Sequence, residues 1–264
     1  MQLELAGRTA LVTGAHRGTG QKIAQILVNE GVRVLVHGFD AHATESVCES
    51  LNALRAEGEA VSLVGELSSD EGTELLLSQC AKDSIDILIN NYGTAAPGRW
   101  ESSSSDDWID MYQKNVLCAQ RLIQRMLPGM KSKSWGRIIN LGTVGSTNPN
   151  SRMPHYYAAK GALANLTVSL AKEVSGTGIT VNLVSPGLIL TDEVRDAYLA
   201  KAKREGWGST WEEVEAEIAK DIPIRRIVRR EEVANLVAYL ASPCADAIHG
   251  QNIVIDGGSM GLVR

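Results

Sequence analysis

The sequence is poor in aromatic side chains, which make up 5% of its 264 residues, and it holds a single phenylalanine, Phe39. Prolines number only 7 and cysteines 4. Cys48, Cys80, Cys118 and Cys244 stand far apart, without the paired spacing of a zinc or thiol-redox motif. Reduced thiols acting as small buried hydrophobes are therefore expected, and no metal site. No apolar run reaches bilayer-spanning length; Val32-Arg33-Val34-Leu35-Val36 is typical of the longest. Positive charge is not in excess either. Against 31 Asp and Glu there are 26 Lys and Arg, a net charge of −5, which gives no support to a nucleic-acid partner. Met1-Gln2-Leu3-Glu4-Leu5 carries neither the basic start nor the apolar core of a secretion signal, so a cytoplasmic protein is expected. What the chain does hold is glycine, 25 residues of it, which asks where the backbone turns tightly or is closely approached.

Thr9 to Thr13 is a short run of β-branched and apolar residues ending at Gly14, the pattern of a buried strand. Beyond a glycine-rich turn, residues 21–29 place Ile23, Ile26 and Leu27 at helical spacing, and Glu30-Gly31 ends that helix. Residues 32–36 read as a second strand. Only a crossover helix returns a strand parallel to its predecessor, so this unit opens a parallel sheet. The alternation continues with helices over 45–57, 72–82, 106–130 (interrupted near Pro128-Gly129), 156–174 and 231–240. Strands fall over 60–64, 85–90, 137–141, 179–184 and 252–255. Continuous apolar strands between helices predict an α/β fold, a Rossmann-like doubly wound parallel sheet with helices on both faces. With no linker in view, residues 1–264 are expected to form one domain. The rhythm breaks over 191–230, a charged stretch with Trp207, Trp211 and helical patterns at 192–204 and 210–220. It follows the carboxyl end of a strand, where open α/β sheets bind ligands, so it is the candidate substrate-binding lid; a solvated helical excursion is the alternative.

Thr13-Gly14-Ala15-His16-Arg17-Gly18-Thr19-Gly20 lies between the first strand and the first helix. Glycines there permit a tight turn and close approach of a pyrophosphate, and the helix start offers free N–H groups and a positive dipole end. Further on, Tyr156 and Lys160 stand four residues apart and share one helix face. Carbonyl reduction by hydride needs a proton for the developing alkoxide. An ammonium beside a phenol stabilises its phenolate and makes it a better shuttle.

The spacing Gly-x-x-x-Gly-x-Gly resembles the fingerprint of the short-chain dehydrogenase/reductase family, and the resemblance extends over roughly Leu5 to Gly258. Asn90-Asn91-Tyr92-Gly93 is similar to the family's Asn-Asn-Ala-Gly turn, and Asn115-Val116 to its helical Asn-Val. Arg137 to Leu141 resembles the strand leading to the catalytic hydroxyl, Pro186 to Thr191 the segment against the nicotinamide, and Gly250-Gln251 to Gly258 the closing strand. The resemblance implies an NAD(P)-dependent oxidoreductase of a carbonyl or secondary alcohol, with Tyr156, Lys160, Thr143 and Asn115 catalytic. It places the cofactor on Gly14, His16, Arg17, Gly18, Thr19 and Gly20, on Gly38, Glu66 and Leu67, and on Asn91, Gly93, Pro186, Gly187, Ile189 and Thr191, besides Tyr156 and Lys160. The substrate would meet Tyr92, Thr143, Gly145 and Tyr156. A homotetramer built through the helices 106–130 and 156–174 and the strand 252–255 is likewise implied.

Two departures from the family pattern stand out. Thr143, thirteen residues before Tyr156, replaces the usual serine; it keeps the hydroxyl, while its methyl group crowds the pocket. Ser146 is a nearby hydroxyl in the wrong register. Tyr92 replaces a small alanine, so it either reshapes the pocket or packs outward on a helix. On the nucleotide, the position whose carboxylate would bind a ribose 2′-hydroxyl and repel a 2′-phosphate is Gly38. Arg17 and His37 are possible 2′-phosphate partners. NADP is therefore expected, with NAD as the alternative should Asp40 bend back toward the ribose. Three functions compete: a reductase of small ketones, polyols or steroid-like substrates; a 3-oxoacyl-carrier-protein reductase served by basic residues such as Lys131, Lys133 and Lys172; and a catalytically silent nucleotide-binding sensor or scaffold.

Overall fold

The computed structural model describes residues 2–54 and 56–261. The ends of the expected 1–264 span, and Arg55 within the helix expected over 45–57, lie outside the described residues. Seven parallel strands form the main sheet: β1 (Thr9–Val12), β2 (Arg33–Gly38), β3 (Glu59–Val64), β4 (Ile87–Asn90), β5 (Gly136–Leu141), β6 (Ile179–Pro186) and a last strand, Asn252–Ile255. Between β6 and that last strand lie two-residue strands β7 (Ile189–Leu190) and β8 (Val228–Arg229), which pair with each other; the last strand is thus β9. The sheet order is β3-β2-β1-β4-β5-β6-β9. The order reverses between β1 and β4, and at such a switch point a crevice opens beyond the carboxyl ends of the strands.

Alternate strand residues feed two cores, as the two-residue period of a strand requires. Ala10, Val12, Val34, Val36, Ile87 and Ile89 face a cluster with α1 (Gly18–Asn29), α2 (Ala41–Asn52) and α9 (Arg230–Ala241). Leu11, Leu35, Leu88 and Ile138 face the other, with α3 (Asp70–Ser78), α5 (Cys118–Lys133) and α6 (Pro154–Glu173). Full burial of a side chain such as Leu11 contributes about 1.5–3 kcal/mol. Among the described residues, no helix is long and apolar enough to cross a membrane.

Three expectations shift. Helix α2 starts at Ala41 because the Asp40 carboxylate accepts a hydrogen bond from the Ala43 N–H (2.7 Å) and caps it. The long helix does not break at Pro128. Gln124, whose carbonyl Pro128 leaves free, and Pro128 itself are exposed, so that group is not desolvated, and buried Met126 and Met130 hold the last turns. The irregularity falls earlier: α4 (Ser105–Tyr112) passes through a π-helical turn, Gln113–Leu117, into α5. In the 191–230 stretch, α7 (Asp192–Glu205) and α8 (Trp211–Ile218) pack on each other through buried Ala202 and Val214. The β7–β8 pair and the double hydrogen bond of Arg229 to Glu215 tie down the base of the excursion.

Candidate active site

The turn after β1 is built by its neighbours. Gly14 and Gly18 adopt φ of +61° and +60°, which favours glycine. The Asn91 amide donates to the carbonyls of Thr13 (2.8 Å) and Gly14 (3.1 Å), folding the turn down onto the end of β4. A Cβ on Gly20 would stand 2.5 Å from both the Gly14 carbonyl and the Asn91 amide, so only glycine lets α1 start this close. Arg17 precedes α1 in extended conformation and supplies no side-chain acceptor to its first turn, where Gly18 and Thr19 lie. Those N–H groups and the dipole end favour an anion.

His37 sits fully buried beneath the turn. Its Nδ1 accepts from the Gly14 N–H (3.1 Å) and its Nε2 stands 3.1 Å from the Gly65 carbonyl, a pairing that requires the proton on Nε2. Burial pushes its pKa down to about 4, so the ring stays neutral. The expected role as a 2′-phosphate donor therefore gives way to a structural one. Asp40 is committed to capping α2. On Gly38 a carboxylate has no room, because a Cβ there would collide with Thr44 Oγ1 and approach His16 Cβ to 2.9 Å. Arg17 alone is open. Its guanidinium is 70% exposed and meets Glu193 at 3.7 Å, an exposed pair of about 0–1 kcal/mol that a phosphate displaces readily. His16 Nδ1 is buried without a partner.

A cleft of about 300 Å³ opens here, lined by Gly14, His16, Arg17, Phe39, Glu66, Asn91, Tyr92, Gly93, Thr94 and Lys114. Two placements differ from expectation. Leu67 turns its side chain into the second core, and its carbonyl accepts from Arg121 (3.2 Å), so it packs rather than lining the cleft. Tyr92 follows β4; its ring packs against the second core and lies 4.7 Å from that of Phe39 at the end of β2. Burial pushes its phenol well above the ordinary range. Neither Phe39 nor Lys114 was given a site role from the sequence. Phe39 follows Gly38 at the strand end that sets nucleotide choice, and that was its signal.

Of the catalytic candidates, Asn115 and Lys160 come together beside Gly93, a residue of the cleft wall. Tyr156 and Lys160 lie one turn apart on α6. Lys160 is buried, and its Nζ donates to the Leu141 carbonyl at 2.8 Å. Asn115 occupies the π-helical turn, a form that recurs at functional sites. Its amide donates to the carbonyls of Thr94 and Met111 (3.0 Å each), while its Oδ1 is buried with no partner. A Cβ on Gly93 would meet Asn115 Oδ1 at 2.6 Å and Lys160 Nζ at 3.0 Å, so that glycine keeps open the space both groups face. Thr143 Oγ1 accepts from the Gly145 N–H at 3.3 Å, and the Ser146 hydroxyl is held by the Thr143 N–H, which turns it to the loop. Gly145 is buried, and the Tyr157 ring occupies the place of its missing Cβ. On the last side, Pro186 ends β6, Gly187 packs on Asp256, Ile189 enters β7 and Thr191 caps α7 through the Val194 N–H (3.2 Å).

The electrostatics correct one expectation. Burial pushes the Tyr156 phenol up to about 12, with Tyr157 adding to the effect. Lys160 does not lower it in this arrangement, since its Nζ is bonded to Leu141 and stands 6.0 Å from the Tyr156 ring centroid. Burial holds Lys160 itself down at about 8, against an ordinary 10.5. Turnover that needs the ammonium is therefore expected to fall as pH rises through about 8. The unfolded chain keeps this proton up to 10.5, so folding stability rises across that window, and the cost of the buried charge is present in full below it. Denaturation and rate profiles for Lys160→Met check this, because both should lose that pH-dependent component.

A phosphate-binding turn at the switch point of a parallel sheet, leading to a tyrosine–lysine pair, defines a nucleotide-dependent oxidoreductase. Residues 14–260 match a family model described as Enoyl-(Acyl carrier protein) reductase. Over 258 residues the chain is 36% identical to the 3-oxoacyl-[acyl-carrier-protein] reductase FabG of Pseudomonas aeruginosa, covering 97% of this chain and 98% of that protein. It is 34% identical over 268 residues to the uncharacterized oxidoreductase YvaG of Bacillus subtilis, covering 100% and 99%. The L-sorbose reductase of Gluconobacter frateurii, solved with NADPH and L-sorbose, superposes with a TM-score of 0.93 at 26% identity over 100% of both chains. The chain belongs to the short-chain dehydrogenase/reductase family, and it is an NAD(P)-dependent oxidoreductase.

Proposed function

We propose that the protein is an NADP(H)-dependent reductase of a small polar ketone, and a dehydrogenase of the matching secondary alcohol, with residues 1–264 forming one domain. The observation that carries it is the convergence of Lys160 Nζ and the unpartnered Asn115 Oδ1 on the space kept open by Gly93, with Tyr156 one turn from Lys160 on α6. The Gly20 cradle and the orphaned His16 Nδ1 fit a dinucleotide. Gly38, Asp40 and Arg17 favour a 2′-phosphate: no carboxylate stands free at the end of β2, and a guanidinium does. When bound, reduced nicotinamide supplies the hydride.

The chain's own residues supply the rest. At about 12 the Tyr156 phenol stays protonated at neutral pH, ready to give its proton to the carbonyl oxygen as charge builds there. Thr143 offers a hydroxyl to orient that oxygen. Lys160 keeps a positive charge beside the site, and it and Asn115 hold the space through which Tyr156 is reprotonated. The excursion α7–α8, reaching Arg17 through Glu193, acts as the lid.

A polyhydroxy ketone is favoured by the 0.93 superposition on the sorbose reductase. A carrier-bound acyl substrate has the 36% identity to FabG behind it. Against that second reading, Lys131 is paired with Glu173 (3.4 Å) and Lys133 with Asp86 (2.5 Å), so the basic docking face is largely neutralised. Assembly of copies is supported by the groove between α5 and α6. Exposed Ile109 (58%), Tyr112 (43%) and Val168 (40%) lie on the helices that flank it. The half-buried outer strand β9 adds an edge for pairing. A panel of free polyhydroxy ketones, simple diketones and a carrier-bound 3-oxoacyl chain, read by NADPH consumption, tests the reading. Turnover of the free ketones is expected. Turnover of the carrier-bound chain alone, or of none of the free ketones, would overturn it.

A further inference from the structure

The departure at position 92 has a role that its neighbours define. The Tyr92 ring meets Phe39 at 4.7 Å between centroids with a 57° tilt, and His37 at 6.5 Å. Phe39 in turn meets His37 at 5.0 Å and His16 at 6.2 Å. All four rings belong to the carboxyl ends of β1, β2 and β4. Tyr92 is held there by its backbone, since its N–H donates to Thr13 Oγ1 at 2.9 Å. Phe39 and Tyr92 are both half-buried, and both line the cleft that opens beside the phosphate turn. In a doubly wound sheet the pyrophosphate lies at the start of α1 and the adenosine ribose at the end of the second strand. The cleft beyond Gly38 is therefore the adenosine end, and its wall here includes two aromatic side chains.

We infer that Tyr92, with Phe39, forms an aromatic platform for the adenine base, making Tyr92 a determinant of cofactor affinity rather than of substrate choice. The inference rests on the NADP(H) reading above. Every base has a π-face, and truncating an aromatic side chain beneath one to alanine weakens binding by about 5- to 150-fold. That interaction needs no particular hydroxyl, so the ring of Tyr92 matters and its oxygen does not.

Calorimetric titration with adenosine 2′,5′-bisphosphate, reduced nicotinamide mononucleotide and NADPH separates the outcomes. For Tyr92→Ala, the first and third are expected to bind about tenfold more weakly, a change of roughly 1.4 kcal/mol, and the mononucleotide as before. Tyr92→Phe should match the unsubstituted protein, and Phe39→Ala should weaken the same two ligands. A thermal melt of each variant separates lost affinity from lost folding; should Tyr92→Ala not fold, the Phe39→Ala and Tyr92→Phe pair decides. Unchanged or tighter binding of adenosine 2′,5′-bisphosphate by Tyr92→Ala would overturn the platform. So would a raised KM for the ketone with unchanged nucleotide affinity, which returns Tyr92 to the substrate pocket. If the unsubstituted protein bound neither nucleotide, the NADP(H) reading itself would fall, and the platform with it.

Discussion

Tyr156→Phe is expected to lower kcat by about 10²–10⁴-fold, or below detection, while NADPH affinity and melting temperature stay close to those of the unsubstituted protein. The substitution removes one oxygen and keeps the ring on α6, where it stands 5.4 Å from the Tyr157 ring. Packing is preserved, so the loss isolates the proton. The phenol, pushed up to about 12, is an acid that stays loaded across the physiological range. Without it the developing alkoxide faces only Thr143, whose hydroxyl already accepts from the Gly145 N–H. Steady-state kinetics beside NADPH titration check the split. Turnover within tenfold of normal would remove Tyr156 from the role.

Gly20→Ala is expected to damage both stability and cofactor binding. The added methyl would lie 2.5 Å from the Gly14 carbonyl and from the Asn91 amide, and 2.9 Å from Ala15 Cα. Two of these are backbone in a tight turn, which cannot rotate away as a long side chain does. Helix α1 must then shift off the turn, breaking the Asn91 hydrogen bonds to Thr13 and Gly14. Overpacking of this kind costs about 1–3 kcal/mol, or roughly 2–12 °C in Tm for a chain of this size. NADPH affinity should fall by at least about tenfold, because the displaced helix start carries the N–H groups that meet the phosphates. A melt and a titration on one preparation measure both. An unchanged melt with unchanged affinity would mean the turn is looser than its contacts indicate.

Much of this architecture is legible from local chemistry. The strands are continuous apolar runs because both faces of the sheet are covered, and Gly31 ends the first helix as the pattern says, whereas α2 ends at Asn52, short of the expected 57. The tyrosine–lysine face follows from spacing alone. What was not legible depends on contacts distant in sequence. Tyr92 points to the nucleotide end because Phe39, more than fifty positions earlier, is there to receive it. Gly145 lies beneath Tyr157, and Leu67 faces the core, for reasons held in other segments. The π-helical turn around Asn115 exists because its amide reaches both Met111 and the Thr94 loop, and no periodicity in 106–130 announces that. The Tyr156 phenol is a similar case. Pairing with Lys160 suggested a lowered pKa, but burial, which only the fold reveals, outweighs an ammonium engaged with Leu141.

The central claim is that the crevice at the β1–β4 switch point holds a 2′-phosphorylated dinucleotide, with Arg17 as the open cation and no free carboxylate at the end of β2. Titration of the full chain with NADPH and with NADH tests it most directly. The account predicts saturable binding of both with NADPH the tighter by about tenfold or more, a preference that Arg17→Ala abolishes. Tighter binding of NADH, or a preference for NADPH that survives Arg17→Ala, would contradict it.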